Sequence, residues 1–124
     1  MTIIHSASEI ARLRNDEKIV EETANQVIKD FALFGMQVTF PDNLHWAYDE
    51  LFAQLNKHVS ELLQTNNKLL LSLLYQIDVS ERSIQVRSSE RSDSDLSSTI
   101  TDLILERELK KVITRNYFKQ QGYK

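Results

Sequence analysis

Apolar residues in the first third of the chain recur at helical spacing. Ser6 and Glu9 form a capping box, in which each side chain can bond the free backbone N–H of the other, and this marks a helix start. Gly35 stands where a left-handed residue commonly ends a helix. Between them the apolar positions advance in steps of three, four and seven: Ile10, Leu13, Val20, Ala24, Val27, Phe31 and Phe34. The pattern predicts one helix over about residues 7–34.

A second apolar stripe begins after Pro41, with Asp42 or Asn43 as the N-cap. Its members are Leu44, Tyr48, Leu51, Phe52, Leu55, Val59, Leu62 and Leu63, followed by Leu69, Leu70, Leu73 and Ile77. From residue 52 to residue 77 is about seven turns of 3.6 residues, so the phase is kept through the polar residues 64–67. The sequence therefore predicts one long helix, about 43–77, with Asn66 as a polar residue in its apolar stripe. A break near residues 65–67 is the alternative.

Two segments show little helical periodicity. Met36 to Phe40 alternates apolar and polar residues and is predicted to be a connector; a two-stranded ribbon with Ile84 and Val86 is disfavoured because such pairs are marginal in water. Asp78 is predicted to cap a short helical turn. Residues 79–94 as a whole are interpreted as a polar connector within the domain.

The last predicted helix, about residues 95–118, has two apolar faces. Ile100, Leu103 and Ile104 lie on one face. The nearly opposite face carries Leu105, Leu109, Val112 and Ile113. A helix on the outside of a small bundle needs one apolar stripe, and monomers rarely expose large apolar patches. The second face is therefore predicted to be an interface, most simply that of a homodimer.

The leucine-rich residues 69–77 are also apolar around most of their helix, which favours self-association in the same way. The alternative is that this segment is a central helix with the polar connector folded over it.

Composition agrees with a single all-α domain spanning residues 1–124. The chain is 41% apolar and contains 2 glycines and 1 proline, too few turn residues for most β or α/β folds. The predicted architecture is a small antiparallel bundle of three long helices, or four if the second breaks at 65–67.

Several chemistries find no support in the sequence. There is no cysteine, and the glycines are not clustered as a phosphate-binding loop requires. His45 with Asp49, and His58 with Glu61, each offer two metal ligands where a site needs more. We expect no cofactor, no metal and no enzymatic activity. The N-terminal residues do not resemble a signal peptide, and residues 69–77 are far shorter than the ~20 residues that span a bilayer. The protein is expected to be cytoplasmic and without membrane contact.

Charge is unevenly distributed along the chain. Residues 1–78 contain 6 Lys/Arg and 11 Asp/Glu, whereas residues 79–124 contain 9 and 7. A basic end can mark a nucleic-acid contact, although cations also favour a helix C-terminus for local electrostatic reasons. The candidate contact residues are Arg107, Lys110, Lys111, Arg115 and Lys119.

Together these patterns favour a non-catalytic protein that self-associates and binds another protein of unknown identity. A nucleic-acid-binding regulator is the alternative, and it ranks lower because the chain lacks a convincing helix-turn-helix and carries a net charge of −3. An enzyme or small-ligand carrier ranks last, because no spacing motif supports one.

Overall fold

The computed structural model describes residues 6–91 and 95–120, and within these ranges all regular structure is helical. The helices are α1 (Ala7–Arg14), α2 (Glu17–Ala32), α3 (Ala47–Thr65), α4 (Asn67–Ile77), α5 (Glu81–Glu90) and α6 (Leu96–Gln120), with one 3-10 turn at Leu44–Trp46. The all-α prediction is confirmed, but six described helices replace the predicted three or four. His5 and residues 92–94 of the predicted connector lie outside the described residues.

The first predicted helix is divided at Asp16. The Asp16 carboxylate accepts hydrogen bonds from the backbone N–H groups of Lys18 at 2.9 Å and Ile19 at 3.2 Å, so it caps α2. The continuous helix over 7–34 was therefore wrong at this point. The predicted left-handed Gly35 is confirmed, with φ of 75°, and Met36 N–H beside it donates to the Phe31 carbonyl.

The second predicted helix is also divided, at Asn66. The Asn66 backbone N–H donates to the Leu62 carbonyl at 2.8 Å and closes α3, while its side-chain oxygen accepts from Leu69 N–H at 3.1 Å and caps α4. The continuous helix over 43–77 was wrong, and the alternative break at 65–67 is confirmed.

The predicted polar connector contains α5. Ser80 caps this helix by accepting from the backbone N–H of Ser83 at 3.1 Å. Asp78 is not the predicted N-cap, because it takes the left-handed conformation, with φ of 71°, that ends α4. Ile84 and Val86 are helical, so the two-stranded ribbon is excluded.

Helix α6 is surrounded by the rest of the chain. It contacts α1, α2, α3, α4 and α5, which explains why its apolar residues are not confined to one stripe. The apolar residues of α6 belong to two core clusters. The main cluster includes Ile100, Leu103, Ile104 and Leu105, and the smaller cluster includes Leu109, Val112 and Ile113.

The four side chains of the predicted interface are thus almost fully buried within one chain. Leu105 packs in the main cluster, whose other members come from α2, α3, α4, α6 itself, the 36–40 connector and Val79. Leu109, Val112 and Ile113 pack with Ile19, against the partly buried Ile10, Leu13 and Tyr48. The fold assigns these positions to the core, because contacting a partner would require the side chains to leave it.

The connector before α3 is fastened to that helix by polar side chains. Gln54 of α3 accepts from Thr39 N–H at 2.8 Å and donates to the Thr39 carbonyl at 3.0 Å. The His58 ring bonds the Gln37 carbonyl at 2.8 Å. Val38 is buried, whereas Phe40 remains 42% exposed.

Candidate interaction site

A groove with a volume of about 500 Å³ lies between α5 and α6. Its base is apolar, formed by the buried Val79 and Leu103, and Val86 of α5 stands beside them with 49% of its surface exposed. Charged residues surround this base: Arg82, Arg87, Arg107 and Lys110, with Asp78, Glu90 and Glu106. An apolar base with a charged rim is the usual composition of a protein-binding surface.

Ion pairs join α5 and the residue that follows it to α6. Arg87 contacts Glu106 at 3.0 Å, and Arg91 pairs with Asp102. No residue of α5 is fully buried, although Ile84 packs against the main cluster. Partly exposed pairs contribute only about 0.2–1 kcal/mol each, so α5 is held less firmly than a helix with a buried stripe.

The groove carries a small surplus of positive charge. Arg107 pairs with Asp78 at 2.7 Å, and Glu106 serves both Arg87 and Lys110, the latter at 3.6 Å. The groove therefore favours an occupant that brings carboxylates.

The basic residues of the predicted nucleic-acid contact are distributed around α6 and mostly bonded within the chain. Arg115 donates to the Gln26 amide oxygen at 3.0 Å, and Lys111 contacts Asp30 at 3.1 Å. Arg107 and Lys110 bond the groove acids, while Lys119 lies on the exposed last turn. The basic end of α6 thus packs on acidic α2, which gives the uneven charge a structural cause.

Sequence reasoning missed one polar site, a buried carboxyl cluster formed by Asp30 of α2 with Glu108 and Lys111 of α6. Glu108 is 0% exposed and Asp30 is 3% exposed. Lys111 Nζ lies 2.8 Å from Glu108 Oε1 and 3.1 Å from Asp30 Oδ2. The available signal was the position of Glu108, four residues from both Ile104 and Val112 and therefore between the two apolar faces of the helix.

The three groups of the cluster have shifted pKa values. Burial, together with a hydrogen bond to Asp30, raises the pKa of Glu108 to about 8. Burial also acts to raise the pKa of Asp30, but hydrogen bonds with Glu108, Lys111 and Gln26 outweigh it and lower that pKa. Burial opposes the charge on Lys111, yet its two acidic neighbours raise the Lys111 pKa. At neutral pH Glu108 is therefore protonated, while Asp30 and Lys111 are ionised.

Exposed apolar surface on α4 is limited to one pair. Leu71 is 51% exposed and Tyr75 is 89% exposed, and their spacing of four places them together on the helix surface. Most other apolar residues of the leucine-rich segment are covered, with Leu70, Leu73, Leu74 and Ile77 buried. The exposed apolar surface predicted for residues 69–77 is thus mainly that of two side chains, Leu71 and Tyr75.

The candidate metal ligands do not converge. Among the residues that the structure describes, no group of three or more His, Asp or Glu side chains is placed to hold a metal ion. His45 instead packs edge-on against Trp46, with ring centroids 4.7 Å apart. In the same part of the chain, no helix combines the length and the apolarity that crossing a membrane requires.

No protein-family model, curated protein or solved structure matches the chain.

Proposed function

We propose that this chain is a non-catalytic, cytoplasmic protein that acts by binding another protein in the α5–α6 groove. The observation that carries the proposal is Val86, half exposed beside the buried Leu103 and surrounded by charged side chains. An apolar side chain of a partner that covers Val86 would be removed from water, which is worth about 1.5–3 kcal/mol for a side chain that is fully buried. The absence of cysteine fits a reducing compartment.

The partner chemistry that suits the groove is an apolar anchor flanked by carboxylates. Arg82 is exposed at the rim, and within the described part of the chain the only ion pair of Lys110 is the long one with Glu106, so both are available to acidic side chains. Charges at a rim act more on association rate and specificity than on affinity. The apolar contact at Val86 is thus expected to dominate binding strength.

Self-association is a second part of the proposal, and it rests on Leu71 and Tyr75. An isologous contact between two copies would cover both side chains of each copy at once. The nucleic-acid alternative has less support, because Arg107, Lys111 and Arg115 already bond acids or amides of the chain itself.

A photo-crosslinking amino acid placed at position 86 of the full chain tests the groove in cells. We expect one adduct of defined mass, whose yield falls when Arg82→Glu, which repels an acidic partner and slows its association, is added to the same chain. The matched control carries the crosslinker at Glu21, an exposed position on α2. The absence of an adduct at position 86, or identical adducts at both positions, would contradict the proposal.

A further inference from the structure

The buried carboxyl cluster has two acids and one base. Asp30 and Glu108 come from different helices and meet at the single ammonium group of Lys111. If both acids are ionised, one negative charge stays uncompensated in a nearly water-free site, which is strongly unfavourable. A single proton on either acid makes the cluster neutral.

The geometry places this proton on Glu108. Asp30 accepts hydrogen bonds from Gln26 Nε2 at 3.2 and 3.3 Å and from Lys111 at 3.1 Å, which stabilise it as a carboxylate. Lys111 Nζ lies 2.8 Å from Glu108 Oε1, but among the described residues no hydrogen bond of good geometry reaches either carboxyl oxygen of Glu108. A protonated Glu108 is itself a donor, and the ionised Asp30, which shares Lys111 with it, is the acceptor that we assign to it. Protonation thus gives Glu108 a hydrogen bond to donate and removes the uncompensated charge.

We propose that the proton shared by Glu108 and Asp30 is a pH-dependent latch between α2 and α6. While Glu108 holds the proton, the two helices pack around a neutral cluster; when the proton is lost, a buried negative charge weakens their packing. This inference is independent of the groove and of its partner.

The charged groups that act most strongly on Glu108 are Asp30 from α2 and Lys111 from α6 itself. On α6, Glu108 lies between Leu105 of the main cluster and Leu109 of the smaller one. Loosening is therefore expected first where α1 and α2 pack on the C-terminal half of α6.

The sign of the pH effect follows from the raised pKa of Glu108. A free glutamate has a pKa of 4.5, and burial raises that of Glu108 to about 8. Stability from the protonated form is complete below 4.5 and is lost as the pH rises through about 8. Because one proton is involved, the unfolding equilibrium constant should rise by up to about tenfold per pH unit within this window.

Urea unfolding of the full chain between pH 5 and 9.5 tests the latch. The wild type should lose stability as the pH rises, and Glu108→Gln, which keeps the shape of the side chain without its charge, should show a much flatter profile. Glu106→Gln is the matched control, since it removes a carboxylate from the same helix at a side chain that is 40% exposed. It should keep the wild-type slope. Equal slopes in wild type and Glu108→Gln would overturn the proposal.

Carbon-13 NMR of the glutamate side-chain carboxyls provides a second readout on the wild-type protein, which decides the matter even if Glu108→Gln fails to fold. One resonance should titrate near pH 8, well apart from the others. If every glutamate carboxyl titrates below about pH 6, Glu108 is ionised at neutral pH and the latch does not exist.

Discussion

The side-chain oxygen of Asn66 accepts the backbone N–H of Leu69 at 3.1 Å, and this bond starts α4 directly after α3 ends. Since the break inserts no extra residues, the apolar stripe on either side stays in phase. Two helices that meet at Asn66 therefore show the same apolar periodicity in the sequence as one continuous helix.

Replacing Asn66 with leucine should lower the free energy of unfolding by about 1 kcal/mol, because the N-cap of α4 is lost. Asn66→Asp should stay near the wild type, since aspartate caps equally well. Asn67→Ala, one residue further on at an exposed position, is the control. Urea denaturation measures all three, and a more stable Asn66→Leu would favour a continuous helix in solution.

A pair of glutamates at Leu109 and Val112 should unfold the protein, because both side chains are buried in the smaller apolar cluster. Two buried, unpaired charges cost more than the about 5–15 kcal/mol by which a typical domain is stable. Circular dichroism should show loss of most helix. A double variant that keeps its helical spectrum but changes its mass would instead place these residues at a subunit contact.

A pair of glutamates on α4, unlike the pair on α6, should leave the protein folded. Glutamate at Leu71 and Tyr75 should leave helicity and melting temperature nearly unchanged, because both side chains are exposed. If this pair mediates self-association, sedimentation velocity at high micromolar concentration should show a dimer for the wild type and a monomer for the variant. A wild type that sediments as a monomer throughout argues against self-association.

Changing Asp30 to asparagine should lower the pKa of Glu108, because both the charge and the hydrogen bond of Asp30 raise it. Burial, the larger cause, remains, so the pKa should stay above the ordinary value of 4.5. The carbon-13 titration of Glu108 measures the shift. An unchanged midpoint would mean that burial acts alone and that the two carboxyls do not share a proton.

The parts of the fold that followed from sequence were those encoded locally. Gly35 and the apolar stripe of α2 were predicted because their cause lies within a few residues. The N-caps Asp16, Asn66 and Ser80 also act within a few residues. However, the pattern around Asp16 and Asn66 also fits an unbroken helix, and the pattern around Ser80 also fits a polar connector. A possible capping side chain is therefore weak evidence for a helix start in a sequence, whereas its hydrogen bond to the backbone is strong evidence for that start in a structure.

The surroundings of α6 could not be predicted in this way. Two apolar faces on one helix show how much surface must be covered, but not whether the same chain covers it. The role of Glu108 was hidden for a similar reason, since Asp30 is 78 positions away in the chain. Such contacts depend on how the helices are arranged, which local periodicity does not specify.

The position of α6 among the other helices has a consequence for the order of events during synthesis. It is the last described helix, and the other five all contact it. Until residues 96–120 leave the ribosome, the apolar residues of α2, α3 and α4 have no α6 to pack against. Closing these contacts brings together segments distant in the chain, and such contacts slow folding. The growing chain should therefore expose apolar surface until residues 96–120 have been synthesised, and binding by a chaperone would matter most before that point.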